Sequence, residues 1–175
     1  MKRLFTALSA VVLAAGCMPM PDKPGTVYSS TAPYDGRTEV RMKPAGLDAN
    51  PNTVPVTLGA IWQEDRPEEV LIKVGIRTTA YGFGPLHISV DGEETILSSE
   101  GLANYDVEAI SSYILTKSSA YYPADIDLIE SIVDARDARL RLVTQSGSFD
   151  GVFQDAKYGA LNGLHDFLGE VNQHR

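Results

Sequence analysis

Apolar and polar residues alternate with period two through the middle of the chain. Val56, Leu58, Ala60 and Trp62 alternate with Thr57, Gly59, Ile61 and Gln63. After a turn at Asp65-Arg66-Pro67, Val70, Ile72, Val74 and Ile76 alternate with Leu71, Lys73, Gly75 and Arg77. This period, rich in β-branched residues, predicts a half-buried antiparallel pair. Leu86, Ile88 and Val90 lead into Asp91-Gly92 and a return strand through Ile96. Asp-Gly supplies the positive φ angles of a two-residue hairpin. Upstream, residues 38–43 place Val40 and Met42 on one face of a short strand. Residues 44–55, with Pro44, Gly46, Pro51 and Pro55, read as a loop.

The second half changes period. Residues 98–106 read as a loop. Residues 107–116 fit either element: Val107, Ile110 and Ile114 suit a helix, Tyr113 and Leu115 a strand, and the spacing favours helix. Pro123 opens a helix from Asp125 to about Asp134, with Ile126, Ile129, Ile132 and Val133 as its apolar face. Asp125 and Asp127 fall in its first turn, where the helix dipole favours anions. Leu140, Leu142, Phe149 and Phe153 mark two strands around Ser146-Gly147. A last helix near 158–172 carries Leu161, Leu164, Leu168 and Val171, with Phe167 beside them. The sum is an α+β fold: an antiparallel β-sheet with two to three helices packed on it, mostly from the C-terminal half. A β-sandwich with peripheral helices is the alternative. Local hairpins argue against a parallel nucleotide-binding sheet.

The N-terminus has a different character. Lys2 and Arg3 precede an uncharged, mostly apolar stretch from Leu4 to Ala15. Basic, then apolar, then small residues is the order of a secretory signal. The stretch is shorter than the about 20 residues a spanning helix needs. It ends Leu13-Ala14-Ala15-Gly16-Cys17, which resembles the lipobox of bacterial lipoprotein precursors. Ala15, Gly16 and Cys17 match its last three positions, while Ala14 stands where Leu is usual and the Leu lies one residue earlier. The resemblance covers residues 1–17 and implies cleavage before Cys17 and acylation of its thiol. Cys17 is the only cysteine, so an exported chain has no internal disulfide and would carry an odd thiol unless it is capped. Met18 stands where an Asp would favour inner-membrane retention; by the same analogy the periplasmic face of the outer membrane is the expected address.

Cleavage divides the chain into a signal peptide at 1–16, the acylated cysteine with a Pro/Gly/Ser tether at 17–37, and one globular domain at 38–175. Pro19, Pro21, Pro24 and Pro33 stiffen the tether. Losing Lys2 and Arg3 takes the formal charge from −8 to −10. A surface this acidic repels phosphate backbones and anionic headgroups, so nucleic acid is not an expected partner and the acyl chains must do the membrane binding.

Several patterns invite a chemical reading. Tyr113 and Lys117 form Tyr-x-x-x-Lys, as in short-chain dehydrogenases, but no glycine-rich strand-to-helix fingerprint precedes them. Asp48, Asn50 and Asn52 begin like a calcium loop, yet Thr53 and Gly59 stand where that loop needs Gly and a bidentate Glu. Asp125, Asp127, Glu130, Asp134 and Asp137 fall on the polar side of an amphipathic pattern. His87, His165 and His174 lack metal-ligand spacing. No catalytic residue, metal ligand or cofactor is therefore assigned. Tyr81 and Phe83 flank glycine in a segment read as a loop, and Tyr121 and Tyr122 are expected in a second loop. If the loops meet, the four aromatics form a partner-contact patch. The expectation is a lipid-anchored, non-catalytic interaction or accessory protein with an envelope protein partner. The alternative is a small-ligand binder or envelope hydrolase, for which His87, Tyr113 and Lys117 would have to share a cleft.

Overall fold

The computed structural model describes residues 23–34, 36–48, 54–78, 82–110 and 113–175; residues 102–110 and 113–116 are described by their backbone only. Among these, ten strands and two helices form an α+β fold. The order is β1 (Val27–Thr31), β2 (Thr38–Gly46), β3 (Val56–Gln63), β4 (Glu69–Ile76), β5 (Phe83–Val90), β6 (Glu93–Leu97), β7 (Glu100–Ile110) and β8 (Tyr113–Asp125). Helix α1 (Ile126–Asp134), β9 (Ala138–Thr144), β10 (Gly147–Val152) and helix α2 (Ala160–Val171) complete it. The strands make a six-stranded sheet, β1-β2-β3-β4-β8-β7, and a four-stranded sheet, β10-β9-β5-β6. Every strand pairing among the described residues is antiparallel.

Register explains the core. Because side chains alternate faces along a strand, aligned registers collect one alternate set on one side. Val27, Met42, Ala60, Ile72 and Tyr122 stand opposite one another across five strands. Val40, Trp62, Val70 and Ala124 form the next row. All but Val27 are buried. Trp62 satisfies its indole N–H by donating to the Pro67 carbonyl at 3.0 Å. Leu86, Ile88, Leu140 and Leu142 of the smaller sheet join the same core. So do Ile126, Ile129 and Ile132 of α1 and Leu164, Phe167 and Val171 of α2. The two sheets and two helices thus share one apolar interior.

The alternating strands and the three hairpin signals agree with expectation. Asp91 and Gly92 take φ of 49° and 94°, as a two-residue hairpin requires. The Asp91 carboxylate also accepts the backbone N–H of Asp137 at 2.9 Å, pinning the α1–β9 link to this turn. Three segments differ. Residues 98–106 and 107–116, expected as loop and helix, supply β7 and the start of β8. Pro123 lies inside β8 rather than at a helix start, beyond the last β7 pairing at Glu100↔Tyr121, so no ladder partner on that side needs its missing N–H. The stretch 17–37, expected as a tether, contains β1, paired along its length with β2.

Helix α2 crosses β1–β3 at very close range. A Cβ on Gly163 would lie 2.5 Å from Met42 Cε and 3.1 Å from the Gly25 Cα. Gly25 itself holds φ +76°, a conformation that favours glycine. Gly169, on the same helix, faces open space. Gly163→Ala is therefore expected to destabilise the fold by about 1–3 kcal/mol through overpacking. Gly169→Ala should be neutral or stabilise by up to about 1 kcal/mol through helix propensity. Urea denaturation of both variants measures the contrast; equal midpoints would remove the close-packing explanation.

Candidate functional site

The outer face of the six-stranded sheet carries the alternate residues of the same ladders. Tyr28, Arg41, Ile61, Leu71 and Pro123 stand in one row across β1, β2, β3, β4 and β8. Tyr121 and Lys73 pair in the adjacent row, the Lys73 ammonium 5.5 Å from the Tyr121 ring centroid. A shallow depression of about 200 Å³ opens here, floored by Ile61 and Leu71 and rimmed by Glu39, Arg41, Arg66 and Glu69. Tyr28 is exposed, and the rest of the row is half-buried. Arg41 hydrogen-bonds Glu39, and Gln63 donates to the other Glu39 oxygen at 3.2 Å. The result is an apolar strip with a paired, charged border.

A second concavity lies on the outer face of the four-stranded sheet. This open groove of about 610 Å³ is lined by His87, Ser89, Glu94, Arg139, Arg141 and Asp150 among others. His87 Nδ1 sits 3.1 Å from Glu94 Oε1. Arg141 grips Asp150 with both prongs, at 2.7 and 3.1 Å, and Arg139 Nε meets Asp137 at 3.0 Å. Each cation is therefore matched to its own carboxylate. A histidine oriented by a carboxylate is one half of a base-and-nucleophile pair. The hydroxyl nearest in sequence, Ser89, shares the His87 face of β5, but the bond His87 makes is to Glu94.

The aromatic residues singled out from the sequence separate. Cys17 and Tyr81 lie outside the described residues. Phe83 opens β5 half-buried against the core. Tyr121 and Tyr122 are neighbours in a strand, not a loop, and so face opposite sides of the sheet. Tyr122 is wholly buried, its hydroxyl donating to the Gly84 carbonyl at 3.0 Å, and burial pushes its phenol pKa up to about 12. It cannot meet a partner, and this corrects its expected role. Through the Tyr122–Gly84 bond β8 meets the start of β5 inside the core. Of the three that are described, Tyr121 alone stands on the candidate face. Ile61 and Leu71 were missed because each was the polar-side member of an alternating run whose buried members were also apolar.

Other sequence candidates also disperse. Tyr113 and Lys117 belong to β8 of the large sheet, whereas His87 belongs to the small one. His165 lies 3.8 Å from Asp166 and His174 lies 3.5 Å from Glu170, each away from the groove. Asp125, Asp127 and Asp134 are exposed, and Glu130 pairs with Arg175 at 3.4 Å. Asp48 bridges to Val152 by backbone, while Asn50 and Asn52 lie outside the described residues. Among the described residues no cluster of three or more His, Cys, Asp or Glu is placed to hold a metal ion. The architecture is that of an α+β protein with two sheets and two helices. Compared with family models, with curated proteins and with solved structures, the chain finds no match.

Four carboxylates are held below their usual range. The Arg41 hydrogen bond does this for Glu39 and the Arg141 bond for Asp150. The Thr38 backbone N–H does it for Glu64 and the Ser29 hydroxyl for Glu170. A depressed carboxylate stabilises the fold above its unfolded-state pKa, about 4 for these groups, and that stability is lost as pH falls through the depressed value. The melting temperature should therefore decline from about pH 4 downward. Arg141→Gln should shallow that decline, since Asp150 then titrates near its usual value. Calorimetric scans between neutral pH and pH 2.5 test this, and an identical slope in the variant contradicts it.

Proposed function

We propose that this chain is a bacterial lipoprotein: exported, cleaved before Cys17, acylated there, and acting without catalysis as an interaction or accessory module on a periplasm-facing membrane surface. The observation that carries this reading is the N-terminal arrangement of Lys2-Arg3, the uncharged stretch to Ala15, and Ala15-Gly16-Cys17. The outer-membrane face is the favoured address because Met18, not Asp, follows the cysteine. The surface best suited to an envelope protein partner is the outer face of the six-stranded sheet. Its apolar residues Ile61, Leu71 and Pro123, with Tyr121 in the next row, offer contact area, and its Glu39/Arg41 border offers directional pairing. Nucleic acid does not suit so acidic a molecule.

A second reading rests on the His87–Glu94 pair in the groove of the small sheet. There the protein would bind a small polar ligand or hydrolyse one. The two readings predict different losses. Cross-linked recovery from envelope membranes should yield a defined partner with the anchored chain. Recovery should fall at least tenfold with Leu71→Arg, at unchanged melting temperature, and stay level with His87→Ala. Loss with His87→Ala and not with Leu71→Arg would move the function to the groove. Recovery of the same partner by a Cys17→Ala form with a cleavable secretory signal would show that anchoring is dispensable for contact.

A further inference from the structure

The described chain begins at Lys23, and its first residues are already fixed to the domain. The Gly25 amide donates to the Lys43 carbonyl at 3.2 Å, and the Lys43 amide to the Thr26 carbonyl at 2.9 Å. The Lys23 ammonium stands 5.5 Å from the Tyr158 ring centroid, and Lys157 caps the same ring at 5.5 Å. Six residues of chain separate Cys17 from Lys23, and at full extension six residues reach at most about 20 Å. A domain of about 150 residues has a radius of gyration near 15 Å, hence a diameter of about 40 Å. A maximum reach half the width of the domain restricts which face can meet the membrane.

We infer that the face around Lys23, Lys157 and Tyr158, with Lys43 and Tyr28 beside it, lies against the headgroup layer of the membrane that holds the acylated Cys17. This rests on the lipid-anchor reading above. Three observations support it. The chain enters the domain at this face. Tyr158 and Tyr28 are exposed large aromatics, at 45% and 42%, and tyrosine settles at the headgroup level, where its ring is half apolar and its hydroxyl wet. Finally, lysine ammoniums gather here: Lys23 and Lys157 flank the Tyr158 ring, and Lys43 stands 5.9 Å from the Tyr28 ring centroid. β1 runs away from Lys23 to the opposite end, where Glu64 bonds Thr38 and the Glu68 carbonyl receives the Ile126 amide at the start of α1. That far end holds Glu64, Asp65, Glu68, Asp125 and Asp127, with Arg37, Arg66 and Arg175 among them. Seating the lysine end on an anionic surface keeps the acid-rich end away from it. Each lysine brought to such a surface strengthens association about fivefold.

The test uses the lipoprotein purified from membranes and reconstituted into vesicles of phosphatidylethanolamine with about one-third phosphatidylglycerol. Flotation with the vesicles checks the anchor; a chain that does not float defeats the anchor reading itself. In floating protein, a fluorophore is placed at Gln154→Cys, near the lysine face, or at Tyr34→Cys, which is fully exposed at the far end. Quenching by a headgroup-bound quencher should be several-fold stronger at position 154 than at 34. Replacing Lys23 and Lys157 together by Glu should shrink that ratio while flotation persists. Equal quenching at the two positions, or the reverse order, overturns the orientation and leaves the anchor standing.

Discussion

Helix α2 meets the large sheet at a spacing that leaves little room for any side chain at position 163. Gly163 lies over Met42 and against the backbone of Gly25, so the helix, the bulged strand β2 and the first turn of the described chain are locked in one contact. Much else follows from it. With α2 seated, the inner face of β1–β3 is covered, and the alternating residues Val40, Met42, Ala60 and Trp62 are buried. The other side of the same strands is thereby turned outward. The same contact fixes where the N-terminal segment enters the domain. A membrane anchor ahead of that point would act on a rigid body and not on a free-hanging bead.

This geometry changes the physical picture of the anchor. A tether through residue 37 would hold the domain some tens of ångströms from a bilayer and let it tumble. With β1 zipped to β2 and Gly25 packed on α2, at most six residues would separate the proposed anchor at Cys17 from the domain. The domain then has a near side and a far side. The outer face of the large sheet, with Ile61, Leu71 and Tyr121, is presented beside that axis, where a membrane-bound neighbour can be met laterally.

Legibility in the sequence followed the strength of alternation. β3, β4, β5 and β9 were readable because their buried residues recur at period two, and β6 and β10 because Asp91-Gly92 and Ser146-Gly147 turn the chain back into them. β1 was not, since an edge strand buries little beyond Val27, and Tyr28, Ser29 and Ser30 carry no core signal. β7 and β8 were misread because Val107, Ile110 and Ile114 fall at helical spacing by coincidence, and tertiary pairing overrides so weak a local cue. The insertion of β8 beside β4, from Glu69↔Asp125 to Ile76↔Ser118, is a non-local choice that no local pattern encodes. At the candidate site, adjacency misled: Tyr121 and Tyr122 read as one patch, whereas a strand sends neighbours to opposite faces. The proposed anchor rests on a linear pattern in residues 1–17, whereas a contact surface is a sheet face assembled from five strands.

The central claim is the acylated N-terminus, and the direct measurement is the mass of the N-terminal peptide of the protein recovered from membranes. The account predicts a peptide that begins at Cys17 and carries a diacylglycerol thioether on its sulfur. A peptide beginning elsewhere, or beginning at Cys17 with a free thiol, would contradict it.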